Sequence, residues 1–149
     1  MANLGKWGNL SAVVSLLTTE LNALGSGSAS AASSAIANQT NLDVYADIEL
    51  VLGSLSPVAP NYATLYVLEA IDGTNYPSAT AAVIRNQPAQ ILCTFALDTT
   101  AATAQRVVVR NVLLPPGSFK VVLDNQAGVA LNATGNTVRM ITYGVNLNA

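Results

Sequence analysis

The residues that could carry acid–base chemistry are few, and two of them lie close together in the sequence. Asp47 and Glu49 are separated by one residue within a stretch of alternating apolar and polar residues. On a β-strand this spacing places their Cα atoms about 6.5 Å apart on one face. Glycoside hydrolases use two carboxylates about 5–10 Å apart, but these flank a cleft. Two carboxylates on one strand are typical of a solvated face, so we expect no catalytic pair here.

Composition excludes most other catalytic and metal-binding sites. The chain has no histidine and one cysteine, so Ser-His and Cys-His dyads and zinc clusters are ruled out. Cys93 lies in an apolar run, which predicts a buried, unreactive thiol. The sequence Asp72-Gly73-Thr74-Asn75 offers oxygen ligands for calcium, but a plain β-turn is the favoured interpretation. We therefore predict that the protein is not an enzyme and uses no metal or cofactor.

Aromatic residues provide a second kind of candidate site. Tyr62 and Tyr66 fall on the same face of a predicted strand, and Tyr45 is expected to lie near them. An exposed row of tyrosines is typical of a surface that stacks on sugars. Cross-strand packing or a subunit contact explains the same three residues equally well. They therefore define a candidate aromatic face.

The elements that must position these residues are strands. From Leu42 onward, apolar residues alternate with polar ones, and turn sequences recur every 8–15 residues or so, which predicts an all-β fold. We expect an antiparallel β-sandwich, jelly-roll-like or immunoglobulin-like, as one domain over residues 26–149. Ile48, Phe119, Val121 and Leu123 should form part of its core. The predicted strands cover residues 44–52, 62–71, 89–97, 106–114, 119–124, 129–131 and 137–147.

The first 25 residues have a different pattern. Apolar residues recur at helical spacing, but several are β-branched, so residues 1–25 are interpreted as either a short helix or an extended arm. An arm that docks on a neighbouring subunit would explain an apolar terminus, although these residues would equally complete the chain's own core. Residues 25–35 are rich in Gly, Ser and Ala and are interpreted as a flexible linker or a weak edge strand. The candidate docking residues are Trp7, Leu10, Val13, Val14 and Leu17.

The low charge limits the choice of partners. Only 9% of the residues are charged, against about 25% in an average chain, and the net charge is −2. The six basic residues are scattered, so we expect no nucleic-acid partner, and no apolar window is long enough to predict a membrane partner. A chain with so few surface charges and an apolar terminus is expected to bury part of its apolar surface in a homo-oligomer, either a trimer or a dimer.

Three stretches resemble small β-sandwich virion proteins of tailed bacteriophages. They read MANLGKWG at residues 1–8, NLDVYADIELVL at 41–52 and LPPGSFKVVLDNQ at 114–126. The resemblance implies a capsid decoration, or cement, protein that binds the outer capsid lattice and stabilises it. Its partner would be the major capsid protein or another virion protein, and assembly would occur in the host cytoplasm. The alternative is a carbohydrate- or receptor-binding β-sandwich module of a tail or head fibre.

Overall fold

Two antiparallel sheets packed face to face make up the protein. The computed structural model describes residues 6–87, 90–100 and 102–146. Within these ranges the first sheet has the strand order β2-β9-β4-β7, the second has the order β3-β8-β5-β6, and β1 pairs with β10. This arrangement confirms the predicted antiparallel β-sandwich. The strands are β1 (Lys6–Trp7), β2 (Val14–Leu17), β3 (Ile36–Ala37), β4 (Tyr45–Leu55), β5 (Tyr62–Glu69), β6 (Ile91–Ala96), β7 (Thr103–Leu113), β8 (Ser118–Gln126), β9 (Thr137–Tyr143) and β10 (Val145–Asn146).

The core lies between the two sheets and follows from the alternation of side chains along each strand. In β4, every second residue from Ala46 to Leu52 is fully buried, while the residues between them are half-buried on the outer face. Ile48, Phe119, Val121 and Leu123 are all completely buried, as predicted. Burial of a side chain of this size contributes roughly 1.5–3 kcal/mol to folding.

The described part of the N-terminal segment is extended and attached to the sandwich, rather than a long helix or a detached arm: β1 pairs with β10, and β2 forms one edge of the first sheet. It runs antiparallel to β9 and β10 along residues 7–17, with irregularities where the register shifts. Leu17, a predicted docking residue, is fully buried in the chain's own core together with Leu21 of the 3-10 turn Thr19–Leu21. Pairing with β9 satisfies backbone groups that a free arm would leave to water, which is why the extended form prevails. The paired residues are Trp7 with Val145, Gly8 with Gly144, Ser11 with Thr142 and Val14 with Met140.

The small-residue stretch 25–35 is also held against a strand. Ser30 and Ser33 are buried beside β8 and bind it through both backbone and side chain. Each serine N–H donates to a β8 carbonyl, at 2.8 Å to Leu123 and 2.9 Å to Val121. In return, the backbone N–H groups of Leu123 and Val121 donate to the two serine hydroxyls at 3.1 and 3.0 Å. Residues 29–33 therefore act as an irregular edge to the second sheet, leading into β3, and are not a flexible linker.

One predicted strand is absent from the structure, and one connection between strands contains a helix. Residues 129–131 form no strand, because the chain there crosses from β8 to the first sheet, and the side chain of Asn125 bonds to the backbone oxygens of Leu24 and Val129. The loop after β5 contains a short helix, α1 (Ala81–Ile84). Ile84 is fully buried with Tyr66 and other apolar residues on the outer face of the second sheet. The second sheet is thus partly covered on both faces.

Candidate functional site

An open groove on the outer face of the second sheet is the first candidate site. Its position follows from strand register. Thr64 in β5 lies between Asp124 of β8 and Thr94 of β6, and the outward-facing tyrosines of β5 stand on either side of this row. Arg85 reaches the row from the end of α1. The groove has a volume of about 550 Å³, and we refer to it as the tyrosine groove. It is lined by Tyr62, Thr64, Tyr66, Arg85, Ile91, Thr94, Asp124 and Gln126.

The floor of the tyrosine groove is a two-pronged ion pair. Arg85 Nε and Nη2 donate to the two carboxylate oxygens of Asp124 at 2.8 and 2.5 Å, and the Asp124 side chain is only 3% exposed. Gln126 Nε2 lies 3.2–3.3 Å from both of those oxygens. The hydrogen bonds to Asp124 raise the pKa of Arg85, and burial raises the pKa of Tyr66, so both remain protonated donors at neutral pH. The floor is therefore rigid and carries no net charge.

The structure separates the three tyrosines of the candidate aromatic face. Tyr62 and Tyr66 both line the tyrosine groove. Tyr45 belongs to β4 in the other sheet, so it is not part of the same face; it packs instead against Trp7 and Tyr143. The alternation within one strand correctly relates Tyr62 to Tyr66, but it carries no information about which sheet receives the next strand. Arg85 and Asp124 are 39 residues apart, and no spacing in the sequence indicates that they meet.

The second candidate site is the exposed side of the N-terminal segment, from β1 to β2. Trp7, Leu10, Val13 and Val14 project their side chains into solvent, and we call this set the N-terminal surface. The exposed fractions of Trp7, Leu10 and Val13 are 64%, 67% and 56%. The Trp7 ring stands edge-on to Tyr143, with ring centres 5.4 Å apart, which orients it without burying it. Four of the five predicted docking residues are thus exposed, and Leu17 is not.

The carboxylates Asp47 and Glu49 lie beside this surface on the outer face of the first sheet. Glu49 pairs with Arg106 at 3.0 Å and also with Arg139. Asp47 accepts hydrogen bonds from the Tyr143 hydroxyl and the Asn111 backbone N–H. The shallow pocket that they share has a volume of about 210 Å³. Both carboxylates face the same way and are occupied by neighbouring donors, which is the solvated-face arrangement expected from their spacing.

The remaining reactive candidates are accounted for by local structure. Burial raises the pKa of Cys93 to about 12, so the thiol stays neutral at physiological pH. The Asp72 carboxylate accepts hydrogen bonds from the backbone N–H groups of Asn75 and Thr74, which lowers its pKa to about 2 and closes the turn.

Across the described ranges, no three potential metal-ligating side chains cluster. No helix in the described part of the chain is long and apolar enough to cross a bilayer.

Comparisons with known proteins yield only remote similarities. No protein-family model and no curated protein matches the chain. Among solved structures, it is similar to the carbohydrate-binding module CBM6cm-2 of Cellvibrio mixtus lichenase 5A, with 16% identity, a TM-score of 0.38 and coverage of 97% of this chain and 98% of that chain. It is similar to an exo-β-1,3-galactanase from Phanerochaete chrysosporium at 13% identity and a TM-score of 0.34, covering 95% of this chain and 28% of that chain. It is also similar to a chain of Desmodium yellow mottle tymovirus, with 10% identity, a TM-score of 0.36 and coverage of 100% of this chain and 93% of that chain. Similarities this remote assign no activity.

Proposed function

We propose that this protein is a non-enzymatic structural protein of a virion, of the capsid decoration type, which packs against other subunits through the N-terminal surface. The observation that carries the proposal is the exposure of four apolar side chains along the N-terminal segment, whose strands β1 and β2 are hydrogen-bonded to β10 and β9. Exposed apolar surface of this kind is typical of protein contact sites. Because backbone hydrogen bonds already hold the segment at Trp7, Gly8, Ser11 and Val14, binding through it costs little conformational entropy.

Trp7 is the expected anchor of this contact. Tryptophan is enriched among the residues that dominate interface energies, and the edge-on contacts with Tyr45 and Tyr143 hold its ring in place. The low charge of the chain supports the same role, since the centres of interfaces are depleted in charged residues. Many such contacts, each weak, would add up across a lattice by multivalency.

The proposed partners are a second copy of this chain, in a dimer or trimer, and the major capsid protein or another virion protein. The proposed location is the outer surface of the capsid, with assembly in the host cytoplasm. The alternative function, a carbohydrate- or receptor-binding module of a fibre, would use another surface, the tyrosine groove. The two roles involve opposite faces of the sandwich and therefore do not exclude one another.

Replacing Trp7→Ala and Leu10→Ser together tests the proposed contact. Analytical ultracentrifugation at micromolar concentration should show a dimer or trimer for the original chain and a shift toward monomer for the variant. Loss of a tryptophan anchor should weaken association by about 2–4 kcal/mol. The melting temperature of the isolated subunit should change little, because both side chains are exposed. Capsids prepared without the protein should bind the original chain and lose most of that binding with the variant.

The matched control is Ile71→Ser, which removes a large apolar side chain that is 99% exposed at the start of the loop after β5. It should leave both association and capsid binding unchanged. The proposal is wrong if the original chain is monomeric and fails to bind capsids. It is also wrong if the Trp7 variant loses thermal stability while association stays the same, because Trp7 would then serve only the chain's own fold.

A further inference from the structure

The tyrosine groove has the arrangement of a ligand site rather than of a plain sheet surface. A row of polar side chains, Asp124, Thr64 and Thr94, crosses three neighbouring strands at one level. Tyr62 and Tyr66 lie on either side of this row, four residues apart on β5, which corresponds to about 13 Å along the strand. The Tyr62 side of the groove is open to solvent, since this residue is 37% exposed, whereas Tyr66 is buried among the apolar residues under α1.

The groove also retains polar groups that the protein does not use. Within the described ranges, Nη1 of Arg85 and Oε1 of Gln126 have no hydrogen-bond partner, although their other polar atoms hold Asp124. The Thr64 and Thr94 hydroxyls lie 3.4 Å apart, so at least one of them has further bonding capacity. The groove therefore presents a fixed donor on Arg85, a fixed acceptor on Gln126 and hydroxyls that can act as either.

This mixture of groups selects the chemical class of the ligand. A sugar hydroxyl both donates and accepts, and the C–H face of a sugar ring packs on a tyrosine ring, so a saccharide can satisfy both parts of the groove. A carboxylate or sulfate would bind through the positive charge of Arg85, but Asp124 already pairs with the Nε and Nη2 edge of that guanidinium. The charges of these two residues cancel, so the floor gives an anion no net attraction.

We propose that the tyrosine groove binds a neutral oligosaccharide, with Tyr62 as the stacking platform and with Arg85, Gln126 and the two threonines as hydrogen-bonding partners of its hydroxyls. The groove, at about 550 Å³, is larger than a single sugar ring, so a chain of sugars fills it better than a monosaccharide does. The groove is on the opposite sheet from the N-terminal surface. This activity therefore does not rest on the subunit contacts proposed above.

An array of immobilised oligosaccharides tests the proposal, followed by isothermal titration calorimetry with a soluble form of any glycan that binds. The array carries neutral chains of glucose, galactose, mannose and N-acetylglucosamine, together with sialylated and sulfated chains. The original 149-residue chain should retain at least one neutral glycan. Tyr62→Ala should weaken that binding at least tenfold, and Thr94→Val should weaken it by a smaller factor. Both side chains are on the outer face, so the melting temperature of each variant should stay near that of the original.

Two control variants separate this site from the N-terminal surface. Ile71→Ser and the Trp7→Ala, Leu10→Ser double variant should bind the glycan as tightly as the original chain. The proposal is overturned if no neutral glycan is retained or if only sialylated or sulfated chains bind. It is equally overturned if Tyr62→Ala binds a retained neutral glycan with unchanged affinity. None of these results bears on subunit association, which ultracentrifugation measures independently.

Discussion

The two outer faces of the sandwich begin from the same alternation of side chains and end in different environments. In β4 of the first sheet, buried and half-buried residues alternate along most of the strand, because the outer face is open. In β8 of the second sheet, five consecutive residues, 121–125, are buried. The difference arises from the loop after β5, whose helix α1 places Ile84 over Val122 and Tyr66. The alternation of side chains along a strand thus determines which residues share a face, whereas the covering loop determines whether that face is exposed to solvent.

The ion pairs of the two faces differ in the same way. Glu49 on the first sheet meets two arginines near solvent, and the Arg106 side chain remains 63% exposed. Asp124 on the second sheet is almost completely buried and depends on Arg85 for its counter-charge. Water screens the first pair, so that pair contributes little to stability. The second pair neutralises a buried carboxylate, whose negative charge would destabilise the fold if it had no partner. The buried pair can therefore serve as a rigid site floor.

The largest expected effect comes from removing the cover of the second sheet. Ile84→Ala should lower the free energy of unfolding by about 2–5 kcal/mol, because it leaves a cavity beneath α1. Val108→Ala on the open first sheet should change it by less than about 0.5 kcal/mol. Urea denaturation of both variants measures the contrast. Equal losses would show that the two outer faces are buried to the same degree in solution.

Next in size is the effect of removing each arginine from its pair. Arg85→Ala should cost about 2 kcal/mol, because Asp124 loses its counter-charge and keeps only the amide of Gln126. Arg106→Ala should cost about 0–1 kcal/mol, since Glu49 keeps Arg139 and is close to water. Thermal unfolding of the two variants at matched pH and salt measures which variant loses more stability, and we expect this to be Arg85→Ala. The contrast between the faces would be refuted if the Arg106 variant were the less stable one.

The last expected effect is absent under ordinary conditions and concerns Cys93, which points into the core between the sheets and is reached from neither face. With its pKa raised to about 12, roughly one thiol in ten thousand is ionised at pH 8. A disulfide reagent should therefore label the native protein far more slowly than the protein in guanidinium. The neutral thiol's contribution to stability is complete below about pH 8.5 and is lost as the pH rises toward 12. Rapid labelling of native protein at pH 8 would show that β6 opens.

Much of the fold could be predicted from local patterns. The strands at residues 44–52, 62–71 and 106–114 lie close to β4, β5 and β7, because their apolar alternation is strong and is bounded by turn sequences. The N-terminal segment could not be predicted in this way. Its apolar spacing fits a helix, but β9, more than 120 residues away, offers an unpaired edge that only an extended chain can use. The irregular edge formed by Ser30 and Ser33 depends on β8 in the same manner.

The sequence by itself determined the class of fold, the composition of the core and the low density of charge. These properties follow from residue types and from a two-residue period, which any extended strand expresses locally. Only the tertiary structure decided that Tyr45 and Tyr62 lie on different sheets, that Arg85 meets Asp124, and that Leu17 is buried while Leu10 is exposed. Those outcomes depend on which strands become neighbours and where a loop folds back. They are set by the packing of the whole chain, and no short stretch of sequence contains that information.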